Sequence, residues 1–171
     1  MRHAARSALT VDVLVVSDRW PDADKLQSTV QRAVIEAAAA LSTTAMELAI
    51  VLTDDSAIRA LNRHWRGVDA ATNVLAFPTK NAAGGHLGDI VLAFETIARE
   101  AASERKPLAH HLAHLAVHGF LHLVGYDHER QKCALEMERT ERQILRRLAI
   151  PDPDRPRTRR RLAERDAKPP R

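Results

Sequence analysis

The sequence predicts a single α/β (α+β) domain over residues 1–150, built on a mixed sheet of about four strands with helices covering mainly one face. Two patterns predict it. Short β-branched segments alternate with helical ones through the first half, and the second half is helical in pattern throughout, an order that suits one sheet layered with helices. Length agrees, since 171 residues can bury a core without covalent staples.

Each element has its own signal. Residues 11–16 alternate Val11, Val13 and Val15 with other side chains, the two-residue period of a strand. Residues 22–40, after Pro21, are Ala-rich and of helical composition, and residues 46–52 form a second strand. Thr53, Asp54 and Asp55 supply capping oxygens to a helix reaching about Trp65, in which Ile58, Leu61 and Trp65 recur at three- and four-residue spacing. That spacing makes Trp65 a core anchor rather than a surface on which bases stack. Residues 73–77 and 87–93 read as two more strands, joined by a polar loop containing Gly84 and Gly85. Helices follow at 94–104, 108–124 and 130–148, the last expected to turn Leu135, Ile144 and Leu148 inward. No internal repeat is visible.

Composition narrows the function classes. No apolar run approaches the roughly 20 residues that cross a bilayer, so no membrane partner is expected. Asp12 interrupts the early apolar run that a signal peptide would need. The single cysteine, Cys133, permits no intrachain disulfide and is expected to be a buried, inert thiol, so a cytoplasmic setting without disulfide-linked partners is expected. Charge is uneven. Residues 151–171 hold eight basic and four acidic side chains, which leaves 18 of each sign in residues 1–150. Rich in proline and poor in large apolar residues, this basic tail is expected to be disordered. Arg157, Arg159, Arg160 and Arg161 in it suit salt-sensitive phosphate contacts, or simply a solubilising extension.

The most informative run is HGFLHLVGYDH at residues 118–128. His118 and His122 are four apart and share one helix face. Gly125 lets the chain leave the helix through a left-handed residue, after which His128 can fold back toward the pair. Three imidazoles leave the fourth tetrahedral position of one Zn²⁺ per chain open for catalysis. The spacing is that of the metzincin three-histidine metal site, except that Gly119 stands where those proteases carry a general-base glutamate. Other imidazoles precede the ligands. His114, one turn before His118, is a candidate to touch substrate or support the metal ligands, whereas His110 and His111 are expected at the surface. Asp127 is a candidate hydrogen-bond partner behind the ligands, or a turn residue. Asn73 and Asp89 are possible site support, and nothing in the spacing links His64 to the metal.

The same run resembles the signature H-G-x-L-H-L-x-G-Y-D-H of the bacterial YbeY endoribonucleases, matching every fixed position from His118 to His128. A second block, LNRHWRGVDAATNVLAFP at residues 61–78, is similar to that family's L-N-x-x-[YW]-R-x-x-D-x-x-T-[DN]-V-L-S-F-P, and Leu87-Gly88-Asp89-Ile90 matches its L-G-D-I. Ala76 replaces the usual serine and Ala71 a common proline. The resemblance runs over roughly residues 10–150. It implies a zinc-dependent endoribonuclease acting on single-stranded RNA in ribosomal RNA maturation, at the 16S rRNA 3′ end, and in ribosome quality control. Ribosomal RNA and the small ribosomal subunit would be its partners. It also implies that Arg66 is catalytic, and a guanidinium suits a phosphodiester because it donates two parallel hydrogen bonds to developing charge. Whether a metal-activated water or the ribose 2′-OH attacks phosphorus stays open. A metalloprotease-like hydrolase and a noncatalytic, zinc-containing ribosome-assembly factor are the alternatives.

Overall fold

The computed structural model describes residues 9–43, 46–80, 85–126 and 131–153. In chain order it runs β1 (Thr10–Val15), α1 (Ala23–Ala40), β2 (Glu47–Thr53), α2 (Asp55–Arg66), β3 (Val74–Pro78), β4 (His86–Ala93), α3 (Phe94–Ser103), α4 (Leu108–Leu123) and α5 (Gln131–Arg147). These bounds fall within about a residue of the sequence expectations. The capping signal is realised: Asp54 accepts the Ala57 amide at 2.9 Å, and Gly67 closes α2 in the left-handed region at φ 70°.

The four strands form one mixed sheet in the order β1-β2-β4-β3. β1, β2 and β4 run parallel, and β3 joins β4 antiparallel as an edge strand. Alternation then sorts side chains by face. Leu48, Ile50 and Leu52 of β2, with Ile90 and Leu92 of β4, meet Val30, Val34 and Ala37 of α1 and Leu112, Ala116 and Phe120 of α4 in the main core. Each such fully buried large apolar side chain contributes about 1.5–3 kcal/mol. The opposite face is thinner. Leu75, Val91 and Ala93 pack there on Ile58 of α2, while Leu14 and Val16 near the β1 edge remain exposed. Helices therefore cover one face mainly, as expected. The register Val74↔Leu92, Ala76↔Ile90 and Pro78↔Gly88 turns alternate residues of the edge strand toward the α4 face.

Several expectations about packing are overturned. Leu135 is 55% exposed. The inward stripe of α5 is Met137, Glu141, Ile144 and Leu145, and Leu135, two residues before Met137, lies about 200° round the helix from it. Trp65 is 65% exposed rather than a core anchor. The buried side of α2 is Ile58 and Asn62, and in its last turn the indole meets His64 and, edge-on at 6.2 Å between ring centres, Phe77 of edge strand β3. Cys133, expected to be buried, is only half-buried. Residues 154–171 of the expected tail, and Gly84 in the β3–β4 connection, lie outside the described residues.

Candidate active site

The end of α4 builds the site. Gly125 adopts φ 100°, a region that side chains with a Cβ avoid. Its amide donates to the His122 carbonyl at 3.1 Å and the Tyr126 amide to the Leu121 carbonyl at 3.0 Å. Together these bonds make a Schellman stop. The turn brings the Tyr126 carbonyl back against its own helix, where it accepts Nδ1–H of His122 at 3.0 Å. A carbonyl only accepts, so Nδ1 of this ring carries a proton and, in the neutral imidazole, Nε2 is the acceptor.

His118 reaches the same state by another route. Its Nδ1 donates to Oε2 of Glu141 on α5 at 2.9 Å, and the other carboxylate oxygen, Oε1, receives Nε2–H of His114 at 2.6 Å. Glu141 is 9% exposed. Burial pushes its carboxyl upward, but the hydrogen bonds from His114 and His118, reinforced by charge whenever an imidazole is protonated, outweigh that and hold it at about 2. As an obligate carboxylate it fixes the Nδ1–H tautomer of His118. In the neutral rings Nε2 of His118 and Nε2 of His122 are the acceptor nitrogens, and they face each other at 3.2 Å. Two ligands about 2.0–2.1 Å from a tetrahedral Zn²⁺ stand roughly 3.3 Å apart, so this pair fits one edge of a metal site. The third expected ligand, His128, and its neighbour Asp127 lie outside the described residues. Among the described residues no three such side chains converge on a point.

Arg66, at the end of α2, comes to the same place around the edge strand. Its Nη2 lies 3.5 Å from the Ala76 carbonyl, a long contact that leaves the guanidinium exposed. Arg66, Asn73, Val74, Ala76, Pro78, His118, Gly119, His122 and Tyr126 line one cleft of about 510 Å³. Two sequence segments some fifty residues apart, each singled out by its motif, thus meet in one cavity.

Gly119 has a packing reason. A Cβ there would lie 2.8 Å from Cγ2 of the buried, β-branched Ile90. The position that carries the metzincin glutamate is here pressed flat against the sheet, with no room for a side chain.

The remaining candidates separate by geometry. His114 does not line the cleft and bonds to Glu141, so it stands behind His118. His111, expected at the surface, is 5% exposed. Its Nε2 lies 2.7 Å from Glu100 of α3, and Glu100 also accepts from the Asn73 amide at 3.0 Å, so the ring is buried because a neighbouring helix supplies a carboxylate. Asn73 lines the cleft with its amide held by that pair. Asp89 is exposed beside His86, and His64 is exposed against Trp65. Glu141 is the residue sequence reasoning missed. Its signal was a lone carboxylate on the apolar stripe Met137, Ile144 and Leu145.

Similarity to known proteins bears on the same residues. A family model described as Endoribonuclease YbeY matches residues 16–149, which hold the whole cleft. This chain belongs to the YbeY family. Within YbeY, the endoribonuclease of Bradyrhizobium diazoefficiens is 51% identical over 159 residues, covering 86% of this chain and 87% of that protein. That of Nitrobacter hamburgensis is 50% identical over 158 residues, covering 86% and 83%. The solution structure of a Thermotoga maritima protein matches with a TM-score of 0.57, over 88% of this chain and 100% of that one. At 20% identity that likeness bears on fold alone. Among the described residues no helix is long and apolar enough to cross a membrane.

Proposed function

We propose that this chain is a zinc-dependent endoribonuclease that cuts single-stranded RNA, acting in ribosomal RNA processing at the 16S rRNA 3′ end and in ribosome quality control, with ribosomal RNA and the small ribosomal subunit as partners. The observation that carries the reading is the 3.2 Å approach of Nε2 of His118 to Nε2 of His122 in a cleft that Arg66 also lines. Family membership supports the RNA substrate.

His118, His122 and, from its spacing, His128 would hold the metal, with Asp127 as an outer partner of the last. When bound, Zn²⁺ would supply Lewis-acid chemistry, polarising a phosphoryl oxygen and lowering the pKa of water. The chain's own groups do the rest. Glu141 and the Tyr126 carbonyl hold both imidazoles in the tautomer that offers Nε2 to a cation, the supporting arrangement metal-binding histidines need. Arg66, exposed in the cleft mouth, donates to the phosphodiester and stabilises charge as it develops. His114 acts through Glu141. Val74, Ala76 and Pro78 form the apolar wall that positions the strand.

The test is to incubate zinc-loaded protein with a single-stranded RNA, the same RNA as a duplex, and casein. Scission of the single strand is expected. Casein loss would instead favour a protease, and RNA binding without scission a noncatalytic assembly factor.

A further inference from the structure

Trp65 and Arg66 are consecutive, but they face different surroundings: the guanidinium lines the cleft, and the indole lies out on the rim. An indole that is 65% exposed leaves a large, flat apolar surface open at the cleft rim. It is held in place. His64 packs edge-on against it at 4.9 Å between ring centres, and Phe77 of β3 also meets it edge-on, at 6.2 Å. Phe77 sits between Ala76 and Pro78, both cleft-lining, so the aromatic rim and the cleft are two sides of one edge strand. The surroundings are cationic. Arg63 and Arg66 lie in the last turn of α2 on either side of His64 and Trp65 in sequence, and the carboxylate of Asp69 is engaged bidentately by Arg59 at 2.8 and 3.1 Å.

We propose that Trp65, braced by His64 and Phe77, is a stacking platform for a base of single-stranded RNA flanking the phosphodiester held at Arg66, with Arg63 contacting the next phosphate. This rests on the endoribonuclease reading and extends it. An aromatic face accepts any base, and neighbouring arginines match the backbone charge, the combination that binds single strands without reading sequence. A base paired in a duplex presents no open face, so the platform also favours single strands over helices. An apolar protein partner would fit the ring but not the two neighbouring guanidinium groups of Arg63 and Arg66.

The experiment uses full-length, zinc-loaded protein. Trp20, the other tryptophan, is buried and donates to the Thr53 carbonyl at 2.9 Å, so solvent-exposed emission belongs to Trp65. Titration with a non-cleavable 2′-O-methyl single strand is expected to quench that emission, and the matching duplex to leave it unchanged. On a cleavable single strand, Trp65→Ala is expected to raise KM about tenfold at constant kcat, because a stacked base contributes equally to bound substrate and transition state. Trp65→Phe should recover most of the loss, and zinc content should stay fixed in both. An unchanged KM in Trp65→Ala, or a fall in kcat and zinc together, would overturn the platform. So would a dimer that becomes monomeric in Trp65→Ala, which would make the patch a self-association surface. If the parent cleaves nothing yet the single strand quenches Trp65, the platform stands and the nuclease reading fails. Cleavage without quenching overturns the platform and leaves the nuclease reading intact.

Discussion

Oε2 of Glu141, on the last helix, accepts Nδ1–H of His118 at 2.9 Å, so a residue outside the histidine motif decides which nitrogen of a motif histidine faces the cleft. Glu141→Gln keeps the size but can accept from only one imidazole, since its amide nitrogen donates. Zinc affinity should fall on the order of 10–100-fold, the usual cost of losing such a partner. Competition against a chelator measures it, with circular dichroism to check the fold. Parent affinity in the variant would show that Glu141 does not orient the site.

The parent protein should bind about one Zn²⁺ per chain, because the imidazoles at this spacing form one site. His122→Ala should abolish that binding, as it removes one of the two nitrogens that meet at 3.2 Å. Elemental analysis after gel filtration gives the stoichiometry. Full zinc in the variant would refute the ligand assignment.

Arg66→Ala should keep zinc and thermal stability but lose on the order of 10²–10³ in cleavage rate at saturating RNA, the effect of removing one preorganised donor. Arg66 is exposed, with one long contact to the Ala76 carbonyl, so the fold does not depend on it. Arg66→Lys should rescue poorly, because an ammonium is a point charge and not a planar fork. Parent turnover in Arg66→Ala would remove the arginine from the chemistry.

Gly119→Ala should destabilise the protein although alanine is the better helix former. Overpacking against Ile90, approached to 2.8 Å, costs about 1–3 kcal/mol against a gain of about 1 kcal/mol in helix propensity. Urea unfolding should register a net loss of up to about 2 kcal/mol, the difference of those two effects. Ile90→Ala in the same chain should make the two substitutions non-additive, since it removes the atoms the new methyl meets. A variant as stable as the parent would mean that α4 shifts freely on the sheet.

The elements were legible to about a residue because each carries a local signal: β-branched alternation, the Asp54 cap, glycine at a helix end. His118, His122 and Arg66 were legible as motif residues, and the fold explains how residues so far apart in sequence share a cleft: edge strand β3 lies between α2 and α4. What was not legible depended on neighbours. His111 is buried because α3 brings Glu100 to it, and Trp65 is exposed because, among the described residues, its ring partners are only His64 and the edge residue Phe77. Neither fact is written in local spacing. Glu141 is the intermediate case, readable as an oddity on an apolar stripe but not as the partner of two particular histidines.

The stop at Gly125 has a dynamic corollary. Tyr126 closes α4 through its amide and steers His122 through its carbonyl, so fraying of the final turn and misorientation of that imidazole are a single opening event. Amide exchange at Gly125 and Tyr126 therefore clocks how often His122 loses its aim. Anything that binds Nε2 of the oriented ring must slow both amides by the same factor, through thermodynamic linkage, while leaving the exchange of distant strands such as β1 to global unfolding.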